Sequence, residues 1–151
     1  MKTLRLLAVS AAVLAALTSL SATARQAVTN EPIDYSAVQL EQQQQNGIAY
    51  LSGGIGLDES RAIQQTKGYN LHMTFSTGPS NEYVPDINVK IQSMQGHELL
   101  TLNEVGPIVY VNLSPGKYVI VGTRNGLEQR STVEVKGGAV RDLNLHWSDA
   151  A

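Results

Sequence analysis

From Tyr69 onward the chain carries a two-residue hydrophobic period. Tyr69, Leu71, Met73 and Phe75 share one phase, and Asn70, His72, Thr74 and Ser76 the other, which predicts a strand with one face on a core. Ile87, Val89 and Ile91 alternate in the same way with Asn88, Lys90 and Gln92, and residues 99–102 predict a short strand after the Gln95-Gly96 turn. Residues 108–113 are apolar on both phases apart from Asn112, the pattern of a strand covered on both sides. Residues 117–124 place Tyr118 and Ile120 on one face and Val119 and Val121 on the other, as a central strand does. Asn125-Gly126 favours a type I′ hairpin, after which Leu127, Val133 and Val135 face inward and Glu128, Arg130, Thr132 and Glu134 outward. A last stripe of Leu143, Leu145 and Trp147 alternates with Asp142, Asn144 and His146. Seven to eight short strands joined by close-set turns predict an all-β, antiparallel β-sandwich over residues 69–147.

The first half is different. Residues 47–51 predict a short strand, followed by the glycine loop Ser52-Gly53-Gly54-Ile55-Gly56. Residues 57–68 then predict one short surface helix, with Asp58 as N-cap, Glu59 in the first turn, Lys67 in the last and Gly68 as the stop. Residues 25–46 are polar and include the run Glu41-Gln42-Gln43-Gln44-Gln45-Asn46, which predicts a flexible N-terminal arm. Before it, Lys2 and Arg5 precede an apolar stretch over 6–20 and the small residues Ser21-Ala22-Thr23-Ala24, the pattern of a signal peptide cut near Ala24. That implies a periplasmic or secreted protein with no stable membrane anchor after cleavage.

Charge and composition narrow the chemistry. The chain has 11 basic and 13 acidic residues, and losing Lys2 and Arg5 with the signal peptide leaves 9 against 13. No basic cluster remains, so the pattern argues against nucleic acid or an anionic membrane surface as partner. There is no cysteine, which removes disulfides and thiolate metal sites. The glycine loop before the helix lacks the phosphate-binding spacings, and Asp58 and Glu59 occupy the helix start that a phosphate would need. His72 and His146 fall on the polar phase of their strands. If those strands are neighbours they could meet, with Asp142, as a weak metal site; otherwise they and His97 are solvated surface residues. Ser52 has no base placed beside it by the sequence. Tyr83, Tyr110 and Trp147 could line an aromatic strip or pack into the core. The polar stretch 77–85, with Asn81 and with Tyr83 between Pro79 and Pro85, is the candidate interaction loop.

Leu113-Ser114-Pro115-Gly116-Lys117-Tyr118 combines a Pro-Gly turn, expected to be type II, with a tyrosine placed to bond back to the loop. This run resembles the L-x-P-G-x-Y turn of carboxypeptidase regulatory-like domains, and Asn125-Gly126 and Val133-Glu134-Val135 support the likeness. The resemblance spans about residues 69–147, and residues 47–68 look like the leader of small secreted bacterial proteins of this type. It implies a transthyretin-like or immunoglobulin-like sandwich in which Leu113, Pro115, Gly116 and Tyr118 are structural. It also implies a module with no catalytic residues, cofactor or metal, serving protein interaction or structural support in the cell envelope. A glycan or small-ligand binding module is the alternative. The C-terminal Y-R-G-S of the transthyretin-like 5-hydroxyisourate hydrolases is missing from the chain's end.

Overall fold

A computed structural model describes residues 31–148. The predicted signal peptide lies outside them. Every element below belongs to the unit that begins at Pro32.

Two sheets pack face to face. The first runs in the order β1 (Gln43–Gln45), β2 (Ile48–Gly53), β7 (Ile108–Val111), β3 (Leu71–Thr77), β10 (Arg141–Trp147), with β4 (Glu82–Tyr83) also paired to β3. The second runs β6 (Glu98–Val105), β5 (Ile87–Ser93), β8 (Gly116–Arg124), β9 (Leu127–Val135). A core of Leu71, Met73, Phe75, Val109, Val111, Leu145 and Trp147 from one sheet meets Ile87, Val89, Ile91, Leu100, Leu102, Ile120, Val133 and Val135 from the other. The expected all-β sandwich is therefore present, with ten strands among the described residues rather than seven or eight. The two extra strands, β1 and β4, are short and polar, so no hydrophobic alternation marks them. The sandwich is also not wholly antiparallel, because β10 runs parallel to β3 with Arg141 opposite Leu71 and Trp147 opposite Thr77.

The hairpin at Asn125-Gly126 has φ of 48° and 76°, the two positive values a type I′ turn requires. Asn46-Gly47 repeats it, at 52° and 73°, and pairs Gln45 with Ile48. This second hairpin lies at the end of the stretch that reads as a flexible arm, and the reason is in the glutamine side chains. The Gln42 and Gln43 amide oxygens accept from the Tyr69 and Tyr50 hydroxyls. The Gln45 amide makes two bonds across the sandwich, accepting from Thr101 N–H at 2.6 Å and donating to the Thr101 carbonyl at 3.0 Å. Asn46 donates to the Leu99 carbonyl. The edge of β6 is thus closed by side-chain amides acting in place of a neighbouring strand.

Helix α1 (Leu57–Gln65) lies over the outer face of the first sheet. Its Ile63 is fully buried with Leu51, Tyr69, Ile108 and Tyr110 in a second apolar cluster, with Leu40 packed beside them. This explains why β7 is buried on both sides, as its sequence predicts: Val109 and Val111 enter the inter-sheet core, Ile108 and Tyr110 the cluster under α1. Tyr69 belongs to that second cluster rather than to the inward stripe, because β3 begins only at Leu71. The N-cap is Gly56, not Asp58, and the helix closes at Gln65, before Lys67 and Gly68. The two acids serve the chain around the helix start instead. Asp58 accepts from Asp34 N–H, and the Glu59 carboxylate accepts from Gly54 N–H at 3.1 Å and Gln39 N–H at 3.2 Å.

Candidate functional site

The Pro-Gly turn departs from its expectation in one respect. Gly116 has φ of 159°, far from the value near 80° of a type II turn, and it is already the first residue of β8. The tyrosine behaves as predicted, since the Tyr118 hydroxyl donates to the Ser114 carbonyl across the corner, and burial holds that hydroxyl above the usual tyrosine range. Leu113 is buried and its backbone is bridged by the Asn70 side chain, which accepts from Leu113 N–H and donates to its carbonyl. Leu113, Pro115 and Tyr118 thus form a structural corner.

The expected interaction loop is shorter than its sequence suggests. β3 continues to Thr77, Gly78-Pro79-Ser80-Asn81 makes the turn, and Glu82 and Tyr83 pair back to Thr77 and Ser76. Asn81 holds a positive φ of 53° and its N–H donates to the Gly78 carbonyl, so it shapes the turn. Tyr83 stands on the outer face opposite Ser76 and is 43% exposed; Pro85 is exposed just beyond it.

That face is where the polar phases of β3 and β10 come together. Register places Asp142 beside His72, Asn144 beside Thr74 and His146 beside Ser76. The His146 Nδ1 lies 3.0 Å from Ser76 Oγ, which also donates to Asn144 Oδ1 at 3.1 Å. The Asn144 amide donates to Thr74 Oγ1 at 2.8 Å. One row higher, His72 stacks on Tyr110 with ring centroids 3.6 Å apart and planes 5° from parallel. Its Nε2 lies 3.1 Å from the Tyr69 carbonyl and its Nδ1 3.6 Å from Asp142, whose side chain is exposed. Burial, aided by the Asp142 carboxylate and then Tyr83, raises the Tyr110 hydroxyl above its ordinary value.

Between α1 and β10 this face is open as a groove of about 430 Å³, lined by Gln64, His72, Thr74, Tyr110, Asp142 and Asn144. A second depression, with Lys67, Tyr69 and Val140, shares Gln64 and His72 with it.

The histidines do not converge. His72 and His146 lie on adjacent strands and the same face, but their register positions are four residues apart, about 13 Å at strand spacing. No group of three or more His, Asp or Glu able to hold a metal ion exists among the described residues. His97 is exposed in its turn, its N–H on Ser93 Oγ. Tyr83, Tyr110 and Trp147 form no common strip. Trp147 is buried in the inter-sheet core against Phe75, with its indole N–H on the Leu127 carbonyl, while Tyr110 lies beneath His72. Ser52 Oγ accepts from Gly106 N–H, a structural contact. Leu127, expected inward, is 47% exposed because it sits at the hairpin tip. Sequence reasoning overlooked Gln64 and Thr74 as lining residues. Thr74 was detectable through the period that it shares with His72; Gln64 only through the docking of α1.

No protein-family model matches the chain, and comparison with curated proteins finds no match.

Proposed function

We propose that this protein is a non-catalytic module of the periplasm or cell exterior that holds another protein of the cell envelope, in keeping with its resemblance to carboxypeptidase regulatory-like domains. The observation that carries this reading is the uncovered outer face of β3 and β10. Exposed Asn144 and half-buried Thr74 and His146 stand there, linked by hydrogen bonds through Ser76, with exposed Tyr83 opposite Ser76 and a groove walled by α1 alongside. A tyrosine among short polar side chains on a rigid sheet suits a partner held by a few directed hydrogen bonds and one aromatic contact. The test is capture of partners from native envelope by the tagged protein, in parallel with Tyr83→Ala and Thr74→Ala. The reading expects one saturable partner, lost from both variants while their thermal unfolding is unchanged. Equal recovery by all three would refute it.

A second reading follows from the groove's amide and carboxylate lining, which suits the hydroxyls of a glycan. Peptidoglycan fragments would then raise the unfolding temperature of the protein but not of Gln64→Ala. No shift with any fragment would remove it.

A further inference from the structure

The sandwich has two sides, and they treat their sheet edges differently. On the β1 and β6 side, β1 is three residues of glutamine and β6 is closed by Gln45 and Asn46. On the other side the edges are β9 and β10. β9 carries Glu128, Arg130 and Glu134 along its length, the charged furnishing that discourages pairing. β10 has seven residues, and from Leu143 to Trp147 it carries no formal charge.

Its backbone alternates. Arg141 N–H donates to the Asn70 carbonyl and Gly78 N–H to the Trp147 carbonyl, which fixes the odd-numbered residues of β10 as those bonded to β3. The N–H and C=O groups of Asp142, Asn144 and His146 therefore point away from β3, where no strand pairs with them among the described residues.

We infer that β10 pairs antiparallel with β10 of a second copy, about a two-fold axis at Asn144, making one continuous sheet across a homodimer. Only residues with outward backbone groups can exchange bonds, so Asn144 pairs with Asn144, and Asp142 with His146 of the other copy. That gives about six backbone hydrogen bonds, two per pair. The register is self-complementary in its side chains. On the outer face a carboxylate stands opposite an imidazole at both ends; on the inner face Leu143 stands opposite Leu145; Arg141 stands opposite Trp147. No like charges meet. The isologous arrangement closes on itself and leaves no further β10 edge. It does not depend on the partner-binding reading above, but it would set two outer-face grooves side by side.

The test is sedimentation equilibrium over a dilution series of the protein purified from cells expressing the full chain. It is repeated with Asn144→Pro and Asp142→Pro. Proline at these positions removes an outward N–H and leaves the ladder to β3 intact. Reversible dimerisation is expected, weakened about tenfold or more by each proline as two symmetric bonds are lost. Asp142→Pro spares the Asn144 side-chain bonds, so loss of the dimer in both variants does not trace to a damaged site. Amide exchange supplies a readout independent of variants: protection at Asp142, Asn144 and His146 should rise with protein concentration. A monomer at every concentration would overturn the inference, as would a dimer indifferent to both prolines or lacking that protection.

Discussion

Single side chains decide more here than their composition suggests. A glutamine-rich run normally marks a solvated segment, and hydropathy gives Gln42, Gln43 and Gln45 no task. Each nevertheless answers one polar group at a sheet end, and Gln45 answers two. The Gln45 role depends on the position of a strand 56 residues away and the Gln42 role on Tyr69, 27 residues away, which no local pattern encodes. Gln45→Ala leaves Thr101 N–H and C=O without that partner and should cost about 1–3 kcal/mol in urea unfolding. Gly122 is a comparable case. A Cβ there would stand 2.7 Å from Leu145 Cδ1 and 3.2 Å from the Trp147 ring, so Gly122→Ala should destabilise by about 1–3 kcal/mol despite its suitability for a strand. The tyrosines add a pH dependence. Burial raises the Tyr69, Tyr110 and Tyr118 hydroxyls above their ordinary value of 10.0. The folded chain keeps protons that the unfolded chain has lost, so stability is full below that value and falls as pH rises beyond it. Urea midpoints should hold steady up to about pH 9 and drop above about pH 10, and replacing all three tyrosines with phenylalanine should flatten the drop.

Elements were legible in proportion to their periodicity. The strands of the inter-sheet core were readable because Leu71, Met73 and Phe75, or Ile87, Val89 and Ile91, bury every second residue. β4 was hidden because Glu82 and Tyr83 are both exposed, and β1 because its residues are glutamines. Of the candidate site, the polar phases of β3 and β10 were visible, but their parallel pairing was not. It sets His72 beside Asp142 and keeps His146 four residues further along, too far for the three to share a metal ion. Helix α1 was read correctly as a surface element, yet its fully buried Ile63 closes the outer cluster. Ile63→Ala should cost about 2–5 kcal/mol and raise exchange in the α1 amides before those of the core strands.

At the scale of the molecule, the two apolar clusters divide the labour. The inter-sheet core holds the sandwich, and the smaller outer cluster positions α1 to wall one side of the groove while leaving β10 uncovered. The last strand among the described residues, β10, is paired to a segment 70 residues earlier. A chain ending at Val140 would lack Leu145 and Trp147, both buried, and it should show no cooperative unfolding transition by circular dichroism. The same pairing carries a kinetic consequence. Local hairpins such as β8–β9 can form as soon as their residues exist, but the first sheet must wait for its distant closing strand, and the entropy of that loop is lost before any contact repays it. High contact order of this kind places folding in the millisecond-to-second range. A chain emerging N-terminus first from the ribosome would keep its first sheet unclosed, and would complete it only after Trp147 had cleared the exit tunnel.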